Sequence, residues 1–102
     1  MSKIEQLREF LKENPDDAFF QYALALEYMK ENQITLAKNI FENLIIKEPD
    51  YLATYYQYGN VLANEGQLNL AEEIFKKGIL IANSQNKLKT RQELEQALFL
   101  LD

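Results

Sequence analysis

The chain has 102 residues, 47% of them apolar, and a formal charge of −5. This fits one domain with enough apolar surface for a packed core, which excludes a disordered chain, and the acidic balance argues against a nucleic-acid backbone as main partner. Cysteine and histidine are both absent, which removes disulfides, thiolate sites and the commonest general base and metal ligand. Most of the acidic excess lies before Tyr51, while residues 76–91 are locally basic and read as solvated surface. The N-terminus has no apolar signal region and no apolar run is long enough to span a bilayer, so a cytoplasmic protein that binds no membrane is expected.

Six helices and no strand are expected. Ser2 to Glu5 forms a capping box, and Ile4, Leu7 and Leu11 follow at helical spacing. Asn14 and Pro15 end that helix, and Asp16 or Asp17 caps the next, over 18–31. Asn32 and Gln33 make a tight turn, because asparagine tolerates a left-handed backbone. The partner helix, 34–47, carries Ala37, Phe41, Leu44 and Ile45 on one side. Glu48, Pro49 and Asp50 repeat the boundary, followed by a helix over 51–65, a turn at Gly66 and Gln67, and a helix over 68–83. A last helix is expected near Thr90, opened by a second capping box from Thr90 to Glu93. Its seam is Leu94, Ala97, Leu98 and Leu101, which should pack on the preceding repeat as a cap.

The apolar pattern recurs every 34 residues. Leu7, Phe41 and Phe75 lie at successive steps, as do Leu11, Ile45 and Ile79. Pro15 pairs with Pro49, Tyr22 with Tyr56, Ala37 with Ala71 and Ile40 with Ile74. A fixed spacing of large apolar residues is the mark of a solenoid, in which each unit buries the same face against its neighbour.

Helix–turn–helix units of this length resemble the tetratricopeptide repeat. Leu24, Ala25, Tyr28, Ala37, Phe41 and Pro49 match its signature in one unit. Tyr55, Tyr58, Gly59, Leu62, Ala71 and Phe75 match it in the next. Gln21 departs from the family's tryptophan, Gly78 from its alanine and Asn83 from its proline. The resemblance implies an all-α, right-handed superhelical solenoid, similar to short stand-alone bacterial proteins with two repeats between capping helices. The whole chain, 1–102, reads as one such domain: a leading half-unit helix at 2–13, repeats at 18–51 and 52–85, and a closing helix at 87–101.

The resemblance also implies a module that binds a peptide or protein segment in a concave groove lined by the first helix of each unit. The groove positions are Phe19, Tyr22, Leu26, Met29 and Lys30, then Ala53, Tyr56, Asn60, Ala63 and Asn64, with Gln57 beside them. The first set is apolar, and it either faces a partner or packs against a flanking helix. In the second, Asn60 would bond the backbone of an extended peptide and Tyr56 would offer a rigid amphipathic contact. The family's carboxylate clamp is a poor match, wanting lysine where Tyr22 stands and asparagine where Tyr56 or Gln57 stands. Lys87 and Arg91 would fill its cationic positions only in a third unit, which would put Glu93 where a small residue is needed.

Catalysis has no support in the sequence. The adjacent carboxylates Glu72 and Glu73 diverge along a helix, and no phosphate loop, nucleophile elbow or metal-ligand spacing occurs. No cofactor is expected. The second reading is a self-associating structural protein, a homodimer through the apolar groove or the closing helix, where Phe99 and Leu100 leave the packing seam.

Overall fold

The computed structural model describes residues 1–101; Asp102, the end of the range read from the sequence, lies outside them. Among the described residues there are six α-helices and no strand: α1 Lys3–Glu13, α2 Ala18–Lys30, α3 Ile34–Lys47, α4 Ala53–Asn64, α5 Leu68–Ser84 and α6 Leu88–Phe99. They fall into two compact units, Met1–Tyr51 and Leu52–Asp102.

In the first unit, α2 packs on both α1 and α3. That double packing is why α2 is apolar on more than one face: a helix with two neighbours needs two apolar stripes. Its start is fixed by Asp17, whose carboxylate accepts from the Phe20 N–H at 3.0 Å. At α1 both halves of the Ser2–Glu5 capping box form. The unit's core is Leu7, Leu24, Ala25, Ala37, Phe41 and Leu44. Gln21, in the tryptophan position, donates its amide to the Pro15 carbonyl and so ties α2 to the turn before it.

In the second unit, α5 packs on both α4 and α6. Two glycines permit this. A Cβ at Gly59 on α4 would collide with the Phe75 ring. A Cβ at Gly78 on α5 would lie 2.7 Å from the Tyr55 Cβ and 3.0 Å from the Leu94 Cδ1. Gly78 is thus where three helices converge. The family's alanine would crowd both Tyr55 and Leu94, which are wholly buried against it.

Three turns share one geometry. Asn32, Gly66 and Asn86 have positive φ, at 58°, 80° and 56°. The next residue in each case donates its N–H to the carbonyl five positions back: Gln33 to Tyr28, Gln67 to Leu62 and Lys87 to Ala82, at 2.8, 2.9 and 2.9 Å. This closes the preceding helix in a Schellman-type cap.

The closing helix starts close to the 87 read from the sequence, but not at the expected cap. It begins at Leu88, so Thr90 lies inside it and the Thr90–Glu93 capping box does not form; Lys87 stands at the N-cap without a side-chain bond. Asn83 replaces a proline, and without proline's ring and missing N–H, α5 runs on to Ser84. The Asn83 side chain then accepts from Arg91 Nη1 at 2.8 Å, joining α5 to α6. Of the seam, Leu94 is wholly buried, whereas Ala97, Leu98 and Leu101 are half-buried.

Two outcomes follow for denaturant titration. Phe41→Ala should cost about 3–5 kcal/mol through the cavity it leaves, while Ile46→Ala on the same helix, 77% exposed, should stay within about 0.5 kcal/mol of wild type. Gly78→Ala gains about 1 kcal/mol of helix propensity but overpacks Tyr55 and Leu94, and should give a net loss of about 1–2 kcal/mol. A stabilised Gly78→Ala protein would mean that the three helices do not meet there.

Candidate functional site

On α4 the residues divide by helical angle. Thr54, Tyr55, Tyr58, Val61 and Leu62 share one face and are buried. At about 100° per residue, Tyr56, Asn60, Ala63 and Asn64 fall on the other side. Those four form one wall of a cleft of about 450 Å³. The other wall is α6 and the turn after it, through Glu93, Gln96, Ala97, Leu100 and Leu101.

The α6 wall is a stripe at i, i+3, i+4, i+7 and i+8, one continuous helix face. Leu94 turns to the core beside it and holds the helix in place. The cleft lining mixes polar and apolar groups. Asn60, Asn64 and Gln96 each carry an amide with donors and an acceptor, and none has a hydrogen-bond partner for its side chain among the described residues. Among the described residues, Glu93 is the one charged lining group.

The structure brings Tyr56, Asn60, Ala63 and Asn64 together, whereas Ala53 of the same expected set and the half-buried Gln57 beside it do not line the cleft. The opposite wall was missed. Sequence reasoning assigned Ala97 and Leu101 to packing and Glu93 to a cap, yet all three line the cleft. The signal was present in the stripe from Glu93 to Leu101, but its partner face was legible only once α6 was seen to touch α4.

In the first unit, Phe19, Tyr22, Leu26 and Met29 descend one side of α2. Phe19 is 59% exposed and the other three are half-buried. The Tyr22 ring sits 6.3 Å from Phe41 and 5.7 Å from Tyr51, centroid to centroid. Phe19 meets Phe20 edge-on at 5.4 Å, and Phe20 stacks on Phe10 at 3.9 Å. Much of this aromatic surface is therefore satisfied within the unit.

Arg91, a cationic position of the clamp considered above, lies 3.5 Å from the Glu95 carboxylate through Nε in addition to its bond to Asn83. Among the described residues no group of three or more His, Cys, Asp or Glu is placed to hold a metal. No helix there is long and apolar enough to cross a membrane.

Burial pushes the Tyr51 phenol above its ordinary pKa of 10.0, and Tyr22 and Asp17 add to the effect. The fold thus favours the protonated phenol. This contribution to stability is complete below the ordinary value and is lost as pH rises from there through the raised value. Tyr51→Phe should therefore lose less stability than wild type between about pH 9 and pH 11 in parallel urea titrations. Equal losses in the two proteins would exclude the Tyr51 phenol as a source of the pH dependence.

Comparison with known proteins supplies the wider setting. A tetratricopeptide repeat model matches residues 52–85. The solution structure of a tetratricopeptide repeat domain protein from Salinibacter ruber is 32% identical, with a TM-score of 0.83 over 86% of this chain and 89% of that one. A crystal structure of a tetratricopeptide repeat domain protein from the same organism, also 32% identical, gives 0.81 over 83% and 96%. A protein from Bordetella parapertussis, 21% identical, shares the fold at 0.83 over 99% and 88%. The fold class is the all-α helical solenoid. No curated protein matches in sequence.

Proposed function

Because the chain belongs to the tetratricopeptide repeat family, whose members are generally protein-interaction modules, we propose that it binds a peptide or protein segment in the cleft between α4 and α6. The observation that carries this reading is the coincidence of two facts. The helix positions that face the groove in such repeats, Tyr56, Asn60, Ala63 and Asn64, line a cleft, and the amides there are unpartnered. An unpartnered amide beside apolar lining groups suits an extended backbone, which brings its own donors and acceptors. Within the first unit, the exposed Phe19 and the half-buried Leu26 and Met29 form a separate apolar surface on α2. The role is non-catalytic and needs no cofactor, in keeping with the family, and the setting is the cytoplasm.

Pull-down from the native host with wild type and with Asn60→Ala plus Tyr56→Ala tests this. Partners retained by wild type should be lost or weakened about tenfold or more by the double variant, with circular dichroism unchanged. Undiminished retention would remove the cleft as the binding site.

Self-association is the second reading, favoured by Phe99 and Leu100, which are 81% and 76% exposed at the end of α6. Light scattering decides it: a dimer that Phe99→Asp dissociates supports this reading, and a monomeric wild type ends it.

A further inference from the structure

We propose that the α4–α6 cleft selects a segment carrying a basic side chain, followed at alternate positions by apolar ones; this rests on the cleft being the binding site. Among the described residues, the charge lining the cleft is negative and comes from Glu93. The cations of the second unit, Lys76, Lys77, Lys87, Lys89 and Arg91, do not line it. Glu93 has no ion-pair or hydrogen-bond partner for its side chain among the described residues. Glu95, one turn away from Arg91, faces that cation instead. A carboxylate left unpaired at the rim of an otherwise uncharged cleft attracts a lysine or arginine and repels an acidic side chain.

The spacing on α6 gives the rest of the motif. Ala97 follows Glu93 by four residues, which at about 1.5 Å per residue is ~6 Å along the helix, and Leu101, in the turn just past the helix end, continues the same side to ~12 Å. An extended chain advances about 3.3 Å per residue and turns every second side chain to the same side, so its positions i+2 and i+4 lie ~6.6 and ~13 Å from position i. For a segment running in the same direction as α6, a basic residue over Glu93 sets apolar residues at i+2 over Ala97 and at i+4 over Leu101. The amides of Asn60, Asn64 and Gln96 remain for the backbone between them. The preferred segment reads basic, any, small or apolar, any, apolar.

The test is fluorescence anisotropy with the purified full chain and two labelled, end-blocked peptides, Lys-Ser-Ala-Ser-Leu and Glu-Ser-Ala-Ser-Leu, each flanked by Gly-Ser. The lysine peptide should bind about five-fold tighter or better, as expected for one exposed ion pair. Glu93→Gln, an exposed substitution that leaves the helix intact, should bring the ratio below about two-fold, and Glu93→Lys should reverse it. Raising the salt should narrow the wild-type ratio. A preference for lysine that survives Glu93→Gln would reflect overall charge and overturn the proposal. Equal binding of both peptides, weakened alike by Asn60→Ala, would overturn the charge preference and keep the cleft as the binding site. Binding insensitive to Asn60→Ala, or no binding of either peptide at millimolar concentration, would overturn both.

Discussion

The second unit is organised around a missing side chain. At Gly78 the backbone of α5 is bare, and Tyr55 from α4 and Leu94 from α6 reach it from their own helices. Both are wholly buried, so the contact is dry and close-packed, where even one added carbon is felt. Because α4 and α6 are both referred to the same point on α5, their outer faces end up opposite each other. The cleft is a by-product of that arrangement: its width is set by how deeply Tyr55 and Leu94 seat, not by its own lining.

The two units use equivalent helices differently. Positions that carry Phe19, Tyr22 and Leu26 on α2 carry Ala53, Tyr56 and Asn60 on α4. On α2 the aromatic rings mostly pair with one another and with Phe10, Phe41 and Tyr51. On α4 the side chains are smaller and more polar and leave open volume. The first unit therefore gains packing where the second keeps unpaired hydrogen-bonding groups, which are affordable only because water reaches them.

Much of the helical framework was legible because the sequence repeats its own constraints. Phe41 and Phe75, both wholly buried, mark the same buried position twice, and Ala37 and Ala71 mark the same close approach. Asn32 and Gly66 mark the same left-handed turn. Where the repetition stops, legibility stops with it. Asn86 adopts a left-handed conformation with no counterpart 34 residues earlier to announce it, and the capping box from Thr90 to Glu93 is plausible but unused. Half of the cleft was readable from α4 alone. The other half required knowing which face of α6 meets α4, and that is fixed by Leu94 seating on Gly78, a three-helix contact that no local pattern encodes.

The order in which helices touch has a kinetic meaning. The main contacts join helices adjacent in sequence, α1 with α2, α2 with α3, α4 with α5 and α5 with α6, and the contact of α4 with α6 is the exception. Short loops close cheaply, so the adjacent pairs can form quickly. The α4–α6 contact has to wait for α5 to dock on both sides, and it involves fewer residues than either neighbouring contact. It is accordingly the last part of the second unit to assemble and the first to open in local fluctuations, so amides at the end of α6 should exchange with solvent ahead of those in α5. The surface proposed for recognition thus sits at the most easily opened edge of the unit, where a bound segment would slow exchange most.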